Sequence, residues 1–383
     1  MNERTEMVVK HLREGDSISE LARWYGVSRK TVYKWVERYE AQGPAGLAEL
    51  SRAPHHHPHA ISESMERAIL EWKAKKPSWG APKIHAKLLG LEGCPSESTV
   101  SNVLARHGLS RRQRRRARAT PSASPLSHGQ GPNQVWCADF KGHFWMGDRR
   151  RCDPLTVTDA FSRYLLCCQA LSGSTGSLVV KPLFIATFRR YGMPEAIRTD
   201  NGAPFASVGL GGLTALSVWW LDLGIRLERI EPGCPQDNGT HERFHRTLKQ
   251  EVPPQATLAQ QQQRYEAFKV EFNQERPHEA LGQKPPDTTY RPSERDYPEA
   301  KLEAAHYPEQ WAKRTVRPGG RIRWQGREVN ITRALCGREV GLQPVGEGRW
   351  AIYYRHLELG LWDQTKGRVE RARTLQWREP QGP

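Results

Sequence analysis

The sequence has no pair of cysteines at the spacing of a zinc site or a redox motif. Its seven cysteines, an odd number, are scattered at positions 94, 137, 152, 167, 168, 234 and 336. This pattern argues against a disulfide scaffold and against a thiolate zinc site. Four histidines at positions 55, 56, 57 and 59 could bind a metal, but no second ligand pair accompanies them. We therefore interpret that cluster as part of an exposed linker after Pro54.

Long apolar runs are also missing from the sequence. No run of 18 apolar residues occurs, and the first residues, MNERTEMVVKHLREGD, lack the apolar segment of a signal peptide. A membrane-spanning helix needs about 20 such residues. We therefore expect a soluble protein that stays in the cytoplasm and has no membrane partner.

Acidic residues are too few to balance the basic ones. Lys and Arg number 58 against 42 Asp and Glu, which gives a formal net charge of +16. Such a surplus favours a polyanionic partner, with nucleic acid first, although a ribosomal or membrane-surface protein would carry the same charge. The 383 residues, 37% of them hydrophobic and 13 of them Trp, are enough for two to four folded domains.

Residues 1–50 contain a helix-turn-helix pattern. Ser17 and Ser28 are cap candidates before two segments of helical apolar spacing, and Gly26 permits the turn between them. An ordinary helical hairpin with a solvated basic face is the alternative. In the helix-turn-helix interpretation, the second helix presents to DNA the side chains of Arg29, Lys30, Thr31, Tyr33 and Lys34.

Residues 60–110 contain a second, weaker copy of this pattern, followed by a basic arm and linker at 111–130. The third predicted helix of this copy, capped by Ser96, would face DNA with Ser98, Ser101, Asn102 and Arg106. The arm holds six arginines between positions 111 and 118 and no acid. Such a run contacts phosphates without selecting sequence, unless it only solubilises the chain. The predicted phosphate contacts are Arg112, Arg114, Arg115 and Arg116.

Residues 131–298 alternate between strand and helix patterns. A long strand through V-W-C-A-D-F-K-G-H-F-W-M and two more form a meander, and helices and strands then alternate. This order predicts an α/β core with a mixed five-stranded sheet covered by helices. Residues 312–378 have short strands separated by glycines, which predict a small all-β, SH3-like barrel. Its arginines suit either DNA binding or a barrel used for oligomer contacts: Arg317, Arg321, Arg323 and Arg327.

Three acids of the predicted core stand at unusual places. Asp139 lies inside an apolar strand, Asp200 ends the fourth strand before Asn201-Gly202, and Glu242 opens a basic helix. Each alone has an ordinary explanation, as a paired strand acid, an Asx turn or a capping charge. Buried acids are costly unless they are paired or bind a cation. Together the three offer hard oxygen ligands, which suit Mg²⁺ or Mn²⁺.

Five motifs carry a resemblance to a known family. W-C-A-D-F-K, V-T-D-A-F-S-R-Y, R-T-D-N-G-A-P-F, Q-D-N-G-T-H-E-R-F-H-R-T-L-K-Q-E and F-N-Q-E-R-P-H-E-A-L resemble the integrase core of bacterial insertion-sequence transposases. The match covers about residues 130–295, and the His/Cys zinc module of the related retroviral integrases is absent. The resemblance implies an RNase H-like fold and an Asp-Asp-Glu triad at Asp139, Asp200 and Glu242.

The spacing of the third acid departs from the family pattern. Residues 201–241 separate Asp200 from Glu242, which is more than related enzymes commonly have. The commoner spacing lands on Gln236, beside Asp237, and a glutamine cannot be an anionic ligand. We prefer Glu242 because its surrounding motif matches, and we assign the extra length to a loop at A-S-V-G-L-G-G-L. Asp159 also recurs in the family, as a turn residue at a strand end.

The resemblance implies a DNA transposase of the bacterial cytoplasm, associated with the nucleoid when bound to DNA. Two Mg²⁺ or Mn²⁺ ions would sit on the triad, with Arg246 and Lys249 holding DNA beside Glu242. The partners would be double-stranded DNA, as terminal inverted repeats and target, a second copy of the chain in a dimer or tetramer, and accessory transposition proteins. The alternatives are a non-enzymatic DNA-binding regulator and a nuclease without strand transfer.

The arginine arm yields a test on DNA affinity. Each phosphate contact adds about 0.9 to the slope of log affinity against log salt. Replacing Arg112, Arg114, Arg115 and Arg116 by Gln should flatten that slope by about 2–4 units and weaken element-end and random duplex equally. Titrations of both DNAs at several salt concentrations measure this. An unchanged slope would make the arm a solvated linker.

Overall fold

The computed structural model describes residues 3–49, 61–110, 126, 129–230, 239–300 and 302–377. The chain divides into two compact units, residues 1–61 and residues 62–383. No helix in these described ranges is both long enough and apolar enough to span a lipid bilayer.

The first unit is a three-helix bundle with the predicted helix-turn-helix. The Ser17 hydroxyl accepts the Glu20 N–H, the Ser28 hydroxyl accepts the Thr31 N–H, and Gly26 has φ +64° in the turn. Both predicted caps are therefore confirmed. The first helix, which the sequence analysis did not predict, completes the core with Val8. The helices are α1 (Glu3–Val9), α2 (Ile18–Trp24) and α3 (Arg29–Gln42).

The second unit begins with three more helices. Ser62 and Ser96 cap the first and third of them through the N–H groups of Met65 and Thr99. Trp79, which is fully buried, lies just before the middle helix. These helices are α4 (Glu63–Lys75), α5 (Ala81–Leu88) and α6 (Glu97–Arg106).

A mixed sheet follows, with the strand order β4-β3-β1-β5-β6 and a short β2 beside β3. β3 is antiparallel to β1 and β4, whereas β5 is parallel to β1 and β6. The long first strand of the sequence analysis is wrong: Gly142, at φ +82°, breaks it into β1 and β2. The strands are β1 (Val135–Phe140), β2 (Phe144–Trp145), β3 (Arg151–Asp159), β4 (Leu165–Leu171), β5 (Ala196–Thr199) and β6 (Arg226–Arg229).

Helices cover both faces of this sheet, and β4 contributes apolar side chains to both layers. Leu166 and Cys167 join the cluster under the first two helices, whereas Leu165 and Cys168 join the cluster under the last two. The last helix was not predicted from the apolar spacing, because its glutamine-rich first half conceals its apolar positions. The helices are α7 (Ser177–Tyr191), α8 (Ala215–Asp222), α9 (Gly239–Glu251) and α10 (Leu258–Gln274).

The C-terminal region is built mainly of β-strands, as predicted. Five strands form an antiparallel sheet in the order β13-β12-β11-β10-β7, and β8 and β9 form a hairpin. The strands are β7 (Ala312–Thr315), β8 (Arg321–Trp324), β9 (Arg327–Asn330), β10 (Glu339–Gly346), β11 (Arg349–Tyr354), β12 (Leu357–Asp363) and β13 (Arg368–Trp377).

The segment between β5 and α8 joins the mixed sheet to the C-terminal region. Its Leu210 and Leu213 are buried in the C-terminal apolar cluster, and Arg229 of β6 donates to the carbonyls of Gly211 and Gly212. The loop to which the sequence analysis assigned the extra length after Asp200 is therefore a packing element.

A buried acid completes this junction. The Asp222 side chain, 1% exposed at the end of α8, accepts from the Tyr354 hydroxyl at 2.5 Å. It also pairs with the guanidinium groups of Arg338 at 2.8 Å and Arg355 at 3.0 Å. Two cations and a hydroxyl thus compensate the cost of burying one carboxylate.

We predict that Asp222→Ala destabilises the second unit by about 1–3 kcal/mol, because it leaves the buried Tyr354 hydroxyl and the half-buried Arg355 without their acceptor. Thermal unfolding and limited proteolysis of the C-terminal region measure the effect. Asp287→Ala, at an exposed acid, is the matched control and should change neither. Equal effects of the two substitutions would contradict a structural role for the Asp222 pairs.

Candidate active site

The mixed sheet brings the two predicted aspartates together. β1 and β5 are adjacent and parallel, with Cys137 opposite Arg198, so Asp139 and Asp200 occupy equivalent positions at their carboxyl ends. The Asp139 side chain is 21% exposed. An Asx turn holds Asp200, whose carboxylate accepts the Gly202 N–H at 3.1 Å, while the Asn201 amide donates to the Ile230 carbonyl. The carboxyl ends of β1 and β5 thus carry two carboxylates side by side.

Glu242 lies on α9, and its charge acts on Asp139. Phe244, Leu248 and Val252, the last just past the helix end, are buried under the sheet. Glu242 stands in the first turn of α9 and is exposed. Glu242, the third acid of the predicted triad, is therefore free to face a ligand.

The electrostatics of Asp139 link the three acids. Burial raises the pKa of Asp139 to about 7, with further increases from the charges of Asp200 and Glu242. The Phe140 N–H opposes this shift by hydrogen bonding to the carboxylate. The ionised form of Asp139 is thus unfavourable in the metal-free protein, which is the condition that a bound cation relieves.

Two histidines that the sequence analysis did not use lie against Asp139. His241 and His245 are four residues apart on α9, so both project from one side of the helix toward β3. One ligand atom each from Asp139, His241 and His245 lie within 4.8 Å of one another. The H-x-x-x-H spacing inside the family motif was the signal that could have found them.

Both histidines are neutral. Burial lowers the pKa of His245 to about 3, helped by the charge of Lys141. Burial, and then His245, hold the pKa of His241 well below its usual range. Neither imidazole therefore neutralises the carboxylates, and the negative charge of the three acids stays available for a cation.

The alternative acids have other surroundings. Asp159 is fully buried and accepts from the Ser162 N–H and hydroxyl and from the Asn133 N–H. Those bonds fit the strand-end turn expected for it. Gln236 and Asp237 lie outside the described residues.

The predicted DNA-binding side chains are mostly exposed. On α3, Thr31 is half-buried and its hydroxyl contacts that of Ser28, while Arg106 of α6 pairs with Glu66 at 2.9 Å. The four arginines of the arm, Arg112, Arg114, Arg115 and Arg116, lie outside the described residues. The exposed candidates are Arg29, Lys30, Tyr33, Lys34, Ser98, Ser101, Asn102, Arg106, Arg246 and Lys249.

A basic cavity of about 300 Å³ lies beside α9, within the second unit. The Arg276 guanidinium pairs with Glu251 and the Lys83 ammonium donates to the Pro277 carbonyl, so both are held in place. The sequence analysis named only Arg246 among its cations. The cationic residues that line it are Lys83, Arg163, Arg243, Arg246 and Arg276.

Family models match most parts of the chain. Two models described as integrase core domain match residues 129–235 and 223–286. A helix-turn-helix domain matches residues 3–55, and a homeodomain-like domain matches residues 31–104. The C-terminal domain of the IS481 family transposases matches residues 312–370.

Two curated relatives come from insertion elements. The insertion element IS407 uncharacterized 31.7 kDa protein of Burkholderia multivorans is 30% identical over 244 residues, covering 61% of this chain and 84% of that protein. The insertion element IS476 uncharacterized 39.2 kDa protein of Xanthomonas euvesicatoria is 29% identical, covering 63% and 69%. Both alignments span most of the relative.

Among solved structures, a chain of the simian T-cell lymphotropic virus intasome in complex with PP2A regulatory subunit B56 gamma is similar at 18% identity. The match covers 82% of this chain and 100% of that chain, with a TM-score of 0.37. A likeness at that score adds nothing to the geometry above.

We predict that Asp139→Asn stabilises the metal-free protein at about pH 8 and has no such effect near pH 4. A free Asp has a pKa of about 3.9, so the folded protein binds the extra proton between that value and about 7. Its free energy of unfolding therefore falls as the pH rises through this window. Asparagine cannot ionise and avoids the loss, a few kcal/mol at most at about 1.4 kcal/mol per pKa unit.

Unfolding of both proteins in EDTA across this pH range measures the difference. Asp296→Asn, at an exposed acid, is the matched control and should show no pH-dependent gain. Identical stability of the wild type and Asp139→Asn at every pH would contradict the burial cost of the carboxylate.

Proposed function

This chain belongs to the insertion-sequence transposases with an integrase-type core, and we propose that it cuts DNA at its element's ends and transfers the strands. The observation that supports this most is the half-buried Asp139 carboxyl beside Asp200 and Glu242, whose charges raise its pKa. A non-enzymatic DNA-binding regulator would gain no stability from three neighbouring acids. The proposed reaction leaves a 3′-hydroxyl at each end, which then attacks a phosphodiester of the target DNA.

The three acids fit a divalent cation. Asp139, Asp200 and Glu242 would hold one or two Mg²⁺ or Mn²⁺ ions through carboxylate oxygens, the ligands these ions prefer. The raised pKa of Asp139 supports the fit, because no cation in the described part of the chain compensates the carboxylate. When bound, such ions polarise a phosphate and lower the pKa of an attacking water.

Cationic side chains of α9 would position the DNA. Arg246 and Lys249 follow Glu242 by four and seven residues, so all three lie along one exposed side of the helix. A phosphate next to the acids would be held by these two cations, with the neighbouring backbone in the basic cavity beside Arg246. In-line displacement by water, and later by the 3′-hydroxyl, needs no covalent bond to the protein.

The helix-turn-helix domains would supply sequence recognition. Exposed polar and basic side chains on α3 and α6 suit contacts in the major groove. Two element ends must be held together for transposition, so we expect a homodimer or tetramer acting in the bacterial cytoplasm.

We predict that Asp139→Asn, Asp200→Asn and Glu242→Gln each abolish nicking at element ends while leaving end binding nearly unchanged. Each substitution removes one ligand charge and keeps the shape of the side chain. Nicking of an end-bearing duplex with Mg²⁺ and gel-shift affinity, measured on the same preparations, separate the two effects. A DNA-binding regulator would show no nicking in the wild type either.

Two exposed acids supply matched controls. Asp296→Asn and Glu294→Gln make the same chemical changes away from the site and should retain full nicking. If Glu242→Gln stayed active while Asp237→Asn lost activity, Asp237 would be the third acid and Glu242 a capping residue.

A further inference from the structure

We propose that His245 binds, through Nδ1, the metal ion held by Asp139, so that the centre has a nitrogen ligand besides its carboxylates. The inference rests on the proposed function, because the ion is the one that the three acids would hold. It depends on which partners of the Thr156 hydroxyl, on β3, donate a hydrogen bond and which accept one.

The Thr156 hydroxyl has three partners and is fully buried. It lies 3.1 Å from the Asp139 carbonyl oxygen, 2.8 Å from His241 Nε2 and 2.8 Å from His245 Nε2. A hydroxyl donates one proton and accepts two. All three contacts are hydrogen bonds only if its single proton goes to one partner and the other two partners donate to it.

The Asp139 carbonyl decides the arrangement, because a carbonyl oxygen can only accept. Thr156 therefore donates to Asp139, and both histidines donate their Nε2–H to Thr156. When each ring carries only that one proton, its Nδ1 has a bare lone pair. His241 uses its lone pair to accept from the Thr158 hydroxyl at 3.0 Å, which satisfies that ring completely.

The lone pair of His245 Nδ1 faces a carboxylate instead. Nδ1 lies 3.9 Å from Asp139 Oδ2, which is too long for a hydrogen bond. Two acceptors facing each other at this distance repel unless a cation, or a water that donates to both, lies beside them. Ligand distances of about 2.1 Å allow two ligand atoms of one ion to lie up to about 4.2 Å apart. A cation therefore satisfies both atoms.

The opposite proton arrangement is worse. If Thr156 donated to His245, the Asp139 carbonyl would lose its hydroxyl donor, and an Nδ1–H would meet the carboxylate only at 3.9 Å. The same reasoning excludes His241 as a ligand, since it is 1% exposed and both its nitrogens are occupied. His241 is a positioning residue that joins α9 to β3.

A nitrogen ligand changes which ions the centre prefers. Carboxylates alone suit Mg²⁺, whereas imidazole suits transition-metal ions. A mixed set at Asp139 and His245 should therefore bind Mn²⁺ more tightly relative to Mg²⁺ than a set of carboxylates would.

Pulsed EPR of Mn²⁺ added below one equivalent to the full chain tests the assignment without measuring activity. We expect ¹⁴N coupling in the wild type, its loss in His245→Ala, and its retention in the matched control His143→Ala, at an exposed histidine of the same unit. His245→Ala should also weaken Mn²⁺ binding at least as much as the about 10–100-fold loss seen for outer-shell partners. His245→Asn, a smaller change in shape, replaces His245→Ala if that variant is misfolded.

Asp139→Asn separates this proposal from the proposed function. If Asp139→Asn abolishes Mn²⁺ binding but the wild type shows no nitrogen coupling, the metal centre stands and the His245 assignment is wrong. Coupling that persists without His245 would also overturn it, because another nitrogen would be the ligand. If Asp139→Asn leaves Mn²⁺ binding unchanged, the metal centre itself fails, and the His245 assignment with it.

Discussion

The position of Asp139 is the constraint on which the account of this protein depends. The parallel pairing of β1 with β5 places its carboxyl beside Asp200, and burial together with these neighbours raises its pKa to about 7. Burial and like charges both disfavour the ionised acid, and the two histidines beside it are neutral. The fold holds an unfavourable cluster that a bound cation would stabilise, which is a common property of active sites.

Helix α9 makes this cluster possible because one side packs against the sheet while Glu242 stays exposed. Phe244 and Leu248 anchor it in the apolar layer against the sheet, and His241 fixes it to β3 through two threonines. Glu242 remains exposed at its start. On the far side of the sheet, α8 and the segment before it pack into the C-terminal β region, where Asp222 is buried among its partners. The additional residues after Asp200 thus serve packing.

The sequence predicted those features of the fold that depend only on residues close together along the chain. The caps at Ser17 and Ser28 need only neighbours along the chain, and they are confirmed. Helix α10 was missed because its first half is rich in glutamine and its buried positions are decided by contacts with β4, remote in sequence. His245 was missed for the same reason, since its partners lie on β1 and β3. The three acids remain a prediction from the motif, which the geometry supports.

The location of a bound ion tests the central claim most directly. A crystal structure of the full chain grown with Mn²⁺, with anomalous difference density recorded at the manganese edge, gives that location. We expect a peak at the carboxyl ends of β1 and β5, in contact with the carboxylates of both Asp139 and Asp200. Manganese bound elsewhere on the chain, with no peak at Asp139, would contradict it.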